Sequence, residues 1–195
     1  MPRRAVLSDE QRMALLALPD DETTLVQHWT LSEDDLAIIV RRRRPHNRLG
    51  FAIQLCALRY PGRLLRPGEL IPDTPLAFVA EQLQIAPEVL ADYATRGPTR
   101  YEQLDALREG FGFTQFSRPL RAALQEWLLP IALTTTSGAG LARSLLGECR
   151  RRRIIVPGIS SVERMVAQAL LDAERHVAEH LTRGLETGQR RLLDA

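Results

Sequence analysis

Apolar residues along this chain recur every three or four positions, which is the spacing of a helix that buries one face. The most sustained example passes through Val162, Val166, Ala169, Ala173 and Val177, and it predicts a long helix in the last third of the chain. No segment shows the two-residue alternation that is typical of a half-buried strand. The pattern therefore predicts an all-α protein.

Helix start and stop signals divide this pattern into elements. Three segments begin with Ser or Thr followed three positions later by a carboxylate, as in a capping box: Ser32 with Asp35, Thr99 with Glu102, and Ser160 with Glu163. Gly97–Pro98 is the strongest break between helices. We expect a first helical module over 1–96, a second over 97–187, and a frayed tail or the start of a linker over 188–195.

The first module contains a pair of helices joined by a short, basic corner. The helix that Ser32 opens is predicted to run out through Arg41–Arg44 and to be broken at Pro45. Asn47 is then the expected cap of a second helix, which ends at Pro61. Two helices with a short turn between them are typical of a helix-turn-helix, although a plain helical hairpin has the same pattern.

The second module repeats this plan. A helix from about Leu141 ends through Arg150–Arg153, a short link follows, and Ser160 opens a helix that continues to Leu181. The chain is therefore interpreted as tandem helix-turn-helix-like helical bundles.

Composition removes several classes of function. Hydrophobic residues make up 45% of the chain and aromatic residues 5%, which allows a core and favours helix over sheet. All 26 basic residues are arginine, so sites that need a P-loop or Schiff-base lysine are excluded.

No apolar run approaches the roughly 20 residues that span a bilayer, and we expect a cytoplasmic protein with no membrane partner. Cys56 and Cys149 lie in apolar helical patterns and are expected to be buried free thiols.

The net charge of +2 conceals a strong segregation of charge. Residues 36–68 contain eight arginines and no Asp or Glu, a local charge of +8. Residues 139–162 contain five arginines and one Glu, a local charge of +4, and the remainder of the chain carries −10. Two basic islands in an acidic chain are typical of a nucleic-acid-binding protein. The alternative is that each arginine run only complements the negative end of a helix dipole.

The residues predicted to contact DNA come from these islands, from the helices beside them and from the basic start of the chain. They are Arg3, Arg4, Arg41, Arg42, Arg43, Arg44, Asn47, Arg48, Gln54, Arg59, Arg150, Arg151, Arg152, Arg153, Ser160, Ser161 and Arg164.

Different parts of this set have different expected roles. The arginines of each corner are predicted to contact phosphates, while Gln54 and Arg59 on the second helix are candidates for reading base edges. Ser160 and Ser161 lie where the first turn of a helix favours a phosphate. The first residues of the chain form a basic arm that suits a minor groove.

No set of residues suggests catalysis or a cofactor. His176, Glu179 and His180 match the H-x-x-E-H pattern of one class of zinc peptidase, but no suitable third ligand domain follows in this chain. A solvated helix face is the better interpretation. We therefore expect no catalytic residues, no metal, no cofactor and no small-molecule substrate.

Several stretches carry a resemblance to a known family. They are Met1–Ser8, Leu15–Pro19, His28–Ser32, Asp35–Ile39, and above all Asn47–Gly62, with further similarity at Phe111–Phe113, Cys149–Arg153 and Glu163–Val166. These stretches resemble the amino-terminal region of the replicative transposases of the Tn-three family. The resemblance covers nearly the whole chain and is densest over 1–62 and 141–175.

The resemblance implies a function in bacterial DNA transposition and recombination. In that family the amino-terminal region binds the terminal inverted repeats of the transposon, and a later domain holds the metal-dependent Asp-Asp-Glu site. The implied function is sequence-specific binding to double-stranded DNA at transposon ends, without catalysis, in the cytoplasm and at the nucleoid. The alternatives are a helical interaction or dimerisation module, acting as a homodimer, and a truncated regulator of transposition.

Overall fold

The computed structural model describes residues 6–93 and 97–183, with the backbone alone for 97–101. Nine α-helices lie in these ranges: α1 Asp9–Leu16, α2 Glu22–Trp29, α3 Glu33–Ile39, α4 Pro45–Arg59, α5 Asp73–Leu83, α6 Gly97–Phe111, α7 Arg118–Ala132, α8 Gly138–Arg151 and α9 Ile159–Thr182. A 3₁₀ helix covers Pro87–Asp92. The described residues form no strand beyond one isolated bridge between Thr114 and Ile154, and the predicted all-α class is confirmed.

The described chain forms two compact units, each built from separate segments. We call residues 12–93, 97–116 and 146–157 the α4 unit, and residues 6–11, 117–145 and 158–183 the α7/α9 unit. This division differs from the contiguous modules 1–96 and 97–187 expected from the sequence. The segment after residue 145 joins the earlier residues because Val156 donates its backbone N–H to the Gly62 carbonyl at 2.8 Å and Ile155 enters their core.

Helix α4 is the centre of the α4 unit. Every residue from Leu49 to Leu58 is buried, and Trp29, Ile39 and Val79 from neighbouring helices pack into the same core. Gly50 allows the Tyr93 ring to lie against the α4 backbone, since a Cβ at this position would overlap the ring. Burial on all sides explains why residues 49–58 read as a nearly continuous apolar run.

Local chemistry explains where α3 and α4 begin. The predicted capping box is confirmed: Ser32 Oγ accepts from the Asp35 N–H at 3.2 Å, and Asp35 Oδ2 accepts from the Ser32 N–H at 2.8 Å. The predicted extension of α3 through Arg41–Arg44 is wrong, because α3 ends at Ile39. Pro45 starts α4 instead of breaking a helix, since its missing N–H and fixed φ suit the first helical position.

The α7/α9 unit is built on the packing of α7 against α9. Leu124 and Leu128 of α7 are buried with Val162 and Val166 of α9. The Gln125 side chain donates to the Met165 carbonyl at 3.0 Å and joins the two helices. Gly158 holds the N-cap position of α9, so the predicted capping box at Ser160 and Glu163 is wrong. Ser160 and Ser161 lie inside the first turn of the helix.

Candidate nucleic-acid interface

The four consecutive arginines form the loop between α3 and α4, and two arginines fix the conformation of this loop. Arg48 donates from Nε to the Arg42 carbonyl at 2.7 Å and from a terminal nitrogen to the Val40 carbonyl at 3.2 Å. The Arg42 guanidinium lies 4.3 Å from the centre of the buried Phe51 ring, a cation–π contact. The loop is therefore attached to the core by side chains that the sequence suggested for DNA.

The remaining three residues of the run are exposed to solvent. The side chains of Arg41, Arg43 and Arg44, the loop arginines, form no hydrogen bond or ion pair with any residue that the structure describes. Three positive charges with no side-chain partner among the described residues thus lie on one short, fixed loop. Arginine in this state presents its planar donor groups to phosphate oxygens.

The two residues expected to read base edges have structural roles instead. Gln54 is 1% exposed and accepts the Leu65 N–H at 3.2 Å. Arg59 makes a bidentate ion pair with the buried Asp35, at 2.8 and 2.7 Å, and joins α4 to α3. Burial alone would raise the pKa of Asp35, but hydrogen bonds from Arg59 and Ser32 outweigh it and lower the pKa below its ordinary value.

Helix α4 is not placed to enter a DNA groove. A recognition helix needs an exposed face, whereas residues 49–58 are all buried in the α4 unit. Asn47 is half-buried in the first turn of α4 and does not cap the helix, because Arg44 holds the N-cap position. The helix-turn-helix interpretation of this pair is therefore not supported by the burial of its second helix.

Acidic residues just outside the first basic island reduce its charge. Besides the Asp35 pair, Arg63 forms a bidentate ion pair with Glu69, at 3.0 and 2.6 Å, and donates to the Leu16 carbonyl at 2.7 Å. The local charge of +8 counted over residues 36–68 includes Arg59 and Arg63 but omits their partners Asp35 and Glu69, which lie just outside this range. The exposed loop arginines are what remains of the predicted phosphate-binding set in this island.

The second basic island is also partly neutralised. Glu148 accepts from Arg151 at 2.7 and 2.6 Å and from Arg152 at 2.6 Å, so one carboxylate serves two guanidinium groups. These hydrogen bonds lower the pKa of Glu148 to about 2, and those from Arg151 have the largest effect. Arg151 and Arg152 follow Glu148 by three and four residues, at the end of α8 and directly after it, and this spacing makes the pairing readable from the sequence.

The other two arginines of this run contact carbonyl groups. Arg150 is half-buried, lies 5.0 Å from the centre of the Tyr60 ring and donates to the Pro61 carbonyl at 3.3 Å. Arg153 donates to the Phe111 carbonyl at 2.8 Å. Burial lowers the pKa of the Arg150 guanidinium. Two of the four arginines, Arg151 and Arg152, therefore pair with Glu148. Arg150 and Arg153 have no carboxylate partner among the described residues.

The remaining predicted DNA contacts lie on α9 or outside the described residues. Arg164, in the second turn of α9, donates to the Ser160 carbonyl and to Ser161 Oγ, both at 3.2 Å. Arg164 and Ser160 are exposed, so their role in phosphate binding stays a prediction. Arg3, Arg4 and the predicted tail at 188–195 lie outside the described residues.

Other candidate chemistry is limited in the described part of the chain. His176 and His180 are exposed on α9, and no group of three or more metal-binding side chains occurs among residues 6–93 and 97–183. Cys56 and Cys149 are buried and free, as expected, and burial raises their pKa values to about 12 and about 11. No helix in the described ranges has the length and apolar character to cross a membrane.

Comparisons with known proteins place this chain among bacterial transposases. It is 41% identical over 194 residues to the transposase for transposon Tn21 of Escherichia coli, and 37% identical over 194 residues to that for Tn501 of Pseudomonas aeruginosa. It is 33% identical over 191 residues to the transposase for Tn1546 of Enterococcus faecium. These matches cover 98 to 100% of this chain, which spans only about a fifth of the length of each relative.

A match to a protein-family model supports the same assignment. Residues 6–169 match the model described as a domain of unknown function, DUF4158. The resemblance to Tn-three family transposases, inferred chiefly from Asn47–Gly62, is confirmed. Those residues form most of the core helix α4 and the turn after it, and residues 49–58 are all buried. The chain belongs to the DUF4158 family, in the form that Tn-three family transposases contain.

Proposed function

We propose that this chain is the DNA-binding amino-terminal region of a Tn-three family transposase and binds double-stranded DNA at transposon ends. The loop arginines Arg41, Arg43 and Arg44 are the observation that carries this proposal. They are exposed, unpaired within the described structure and held on a loop that Arg48 and Arg42 attach to the core. Catalysis would belong to parts of the transposase that lie outside this fifth of its length.

The loop arginines suit contacts with the DNA backbone. Guanidinium groups form bidentate hydrogen bonds with phosphate oxygens, and such contacts fix the register and orientation of a protein on a duplex. Fixing the loop in advance reduces the conformational entropy that binding would otherwise cost. Gln54 and Arg59 are left out of the proposed interface because they hold the fold together.

Replacing the three loop arginines together tests the proposal. We expect the Arg41→Gln, Arg43→Gln, Arg44→Gln variant to weaken binding to a terminal-repeat duplex by about a hundredfold near 0.15 M salt. The slope of log affinity against log salt should become less steep by about 2.7, since each lost phosphate contact removes about 0.9. Fluorescence anisotropy at several salt concentrations measures both quantities.

A matched control carries the same loss of charge elsewhere. Arg118, Arg121 and Arg143 are exposed, and their side chains have no hydrogen-bond or ion-pair partner among the described residues. Changing all three to Gln should alter the slope much less. Equal losses in both variants would show that the loop is ordinary basic surface, and equal affinity for a scrambled duplex would contradict recognition of transposon ends.

A second candidate function is self-association through the end of α9. Val177 and Leu181 lie four residues apart on one helix face and are 46% and 71% exposed. The earlier part of the same apolar stripe, including Val162 and Met165, is buried inside the α7/α9 unit. The exposed part therefore offers an apolar strip to a second copy of the chain.

Light scattering after size-exclusion chromatography tests this candidate. The wild-type chain is expected to form a dimer, and Val177→Glu with Leu181→Glu should convert it to a monomer because the charges cannot be buried together. The control changes two exposed apolar residues of the α4 unit, Met13 and Val26, to Glu. A monomeric wild-type chain at high concentration would contradict the candidate, as would equal dissociation in the control.

A further inference from the structure

A small cavity in the α4 unit is lined by three arginines and two aromatic rings. Its volume is about 180 Å³. The lining residues are Leu58, Arg59, Phe111, Phe113, Arg150 and Arg153. They come from α4, from the end of α6 and the turn after it, and from the end of α8 and the residues after it.

The charge of this cavity is not balanced by the residues around it. Arg59 is neutralised by Asp35. Arg150 and Arg153 donate to the carbonyl groups of Pro61 and Phe111, which accept hydrogen bonds but carry no net charge. Neither has a carboxylate partner among the described residues. Two uncompensated cations therefore line one cavity, and an anion placed there would lower the energy of both.

The guanidinium groups are held in place before any ligand binds. Arg150 is half-buried against the Tyr60 ring. Arg153 has a φ of 52°, in the left-handed region, and its carbonyl accepts the Thr114 N–H at 2.8 Å. A non-glycine residue in this region is strained, and such strain persists where the surroundings impose it. The backbone conformation thus fixes the position from which the Arg153 side chain extends.

We propose that this cavity binds a single phosphate group between Arg150 and Arg153. Guanidinium groups match the geometry of phosphate oxygens, and the Phe111 and Phe113 side chains limit the water that would weaken the attraction. The volume is below the roughly 300 Å³ at which pockets begin to hold a whole drug-sized ligand, which favours the phosphate over an entire nucleotide. The phosphate comes either from the DNA backbone, which rests on the proposed function, or from free inorganic phosphate, which does not.

Arginine side-chain spectra test the site directly. In ¹H–¹⁵N spectra of the whole chain, dimethyl phosphate and inorganic phosphate should each shift the Nε–H signals of Arg150 and Arg153 to saturation. Chloride at the same ionic strength should not. Absence of saturable shifts with both phosphates would overturn the proposal, whether or not the chain binds DNA.

A single substitution provides a second test of the phosphate site. Arg153 is exposed, so Arg153→Gln is expected to keep the fold, and it should weaken phosphate binding at least tenfold. Arg143→Gln, which removes an exposed arginine of α8, is the matched control and should leave phosphate binding unchanged. Equal effects of the two substitutions would overturn the proposal.

The source of the phosphate is decided with the terminal-repeat duplex. If the DNA backbone supplies it, Arg153→Gln also makes the salt slope of DNA binding less steep by about 0.9. If phosphate binding is lost while DNA binding is unchanged, the cavity binds free phosphate. Either result supports the site, and the loop-arginine variant tests the proposed function separately.

Discussion

Arg59→Ala is expected to lower the free energy of unfolding by about 3–5 kcal/mol, because it leaves a buried carboxylate without its counter-charge. Asp35 is 2% exposed, and both of its oxygens accept from Arg59. In a chain of this size the loss corresponds to a fall in melting temperature of roughly 10 °C. Thermal and urea unfolding followed by circular dichroism measure it. Arg175→Ala, which removes an exposed partner of Asp172, is the control and should cost below about 1 kcal/mol.

The destabilisation should also depend on pH in a defined direction. The folded-state pKa of Asp35 is lowered from its ordinary value of 3.8, so the ion pair contributes stability above that pH and loses it as the pH falls further. The difference in stability between the wild-type chain and Arg59→Ala should therefore shrink as the pH falls toward and below 3.8. A difference that stays constant down to pH 2.5 would show that lost packing, not charge, is its cause.

Phe51→Ala is expected to destabilise the chain by about 3–5 kcal/mol and to weaken DNA binding as well. Phe51 is fully buried in α4 and packs near the Phe111 ring, with centroids 6.5 Å apart. Its ring also lies under Arg42, whose Nε is buried without a hydrogen-bond partner in the described structure. Removing the ring creates a cavity and releases the residue that attaches the loop.

A control of similar cost separates these two effects. Leu128→Ala removes a buried side chain of α7 in the other unit and should cost about 2–5 kcal/mol. DNA binding is compared at a temperature at which circular dichroism shows both variants folded. We expect Phe51→Ala to bind the terminal-repeat duplex more weakly than Leu128→Ala. Equal binding would show that the loop keeps its conformation without the Phe51 ring.

Local signals in the sequence predicted the helical class and several features of the helices, but not the grouping of separate segments into compact units. The Ser32 capping box, the helical spacing of the apolar residues and the end of α4 near Pro61 are all present in the structure. These features depend on interactions within a few residues. The grouping of residues 146–157 with earlier helices depends on contacts such as the Arg150 hydrogen bond to Pro61, 89 residues away, which no local pattern encodes.

The candidate site shows the same limit. The sequence identified the arginine-rich segments, but it could not assign a role to each arginine. Arg59 pairs with a carboxylate 24 residues away, Arg42 packs on an aromatic ring, and Arg43 remains exposed. Glu148 is the exception, because its partners Arg151 and Arg152 lie only three and four residues later in the sequence.

The sequence by itself determined the all-α class, the Ser32 capping box, the segregation of charge and the family, because each is carried by residue type and short-range spacing. Only the tertiary structure decided which arginines stabilise the fold and which remain available for a ligand. The physical reason is that a guanidinium is neutralised by whichever carboxylate or carbonyl the fold brings near it. In the folded α4 unit, Asp35, Glu69 and the Phe111 carbonyl lie within hydrogen-bond distance of Arg59, Arg63 and Arg153.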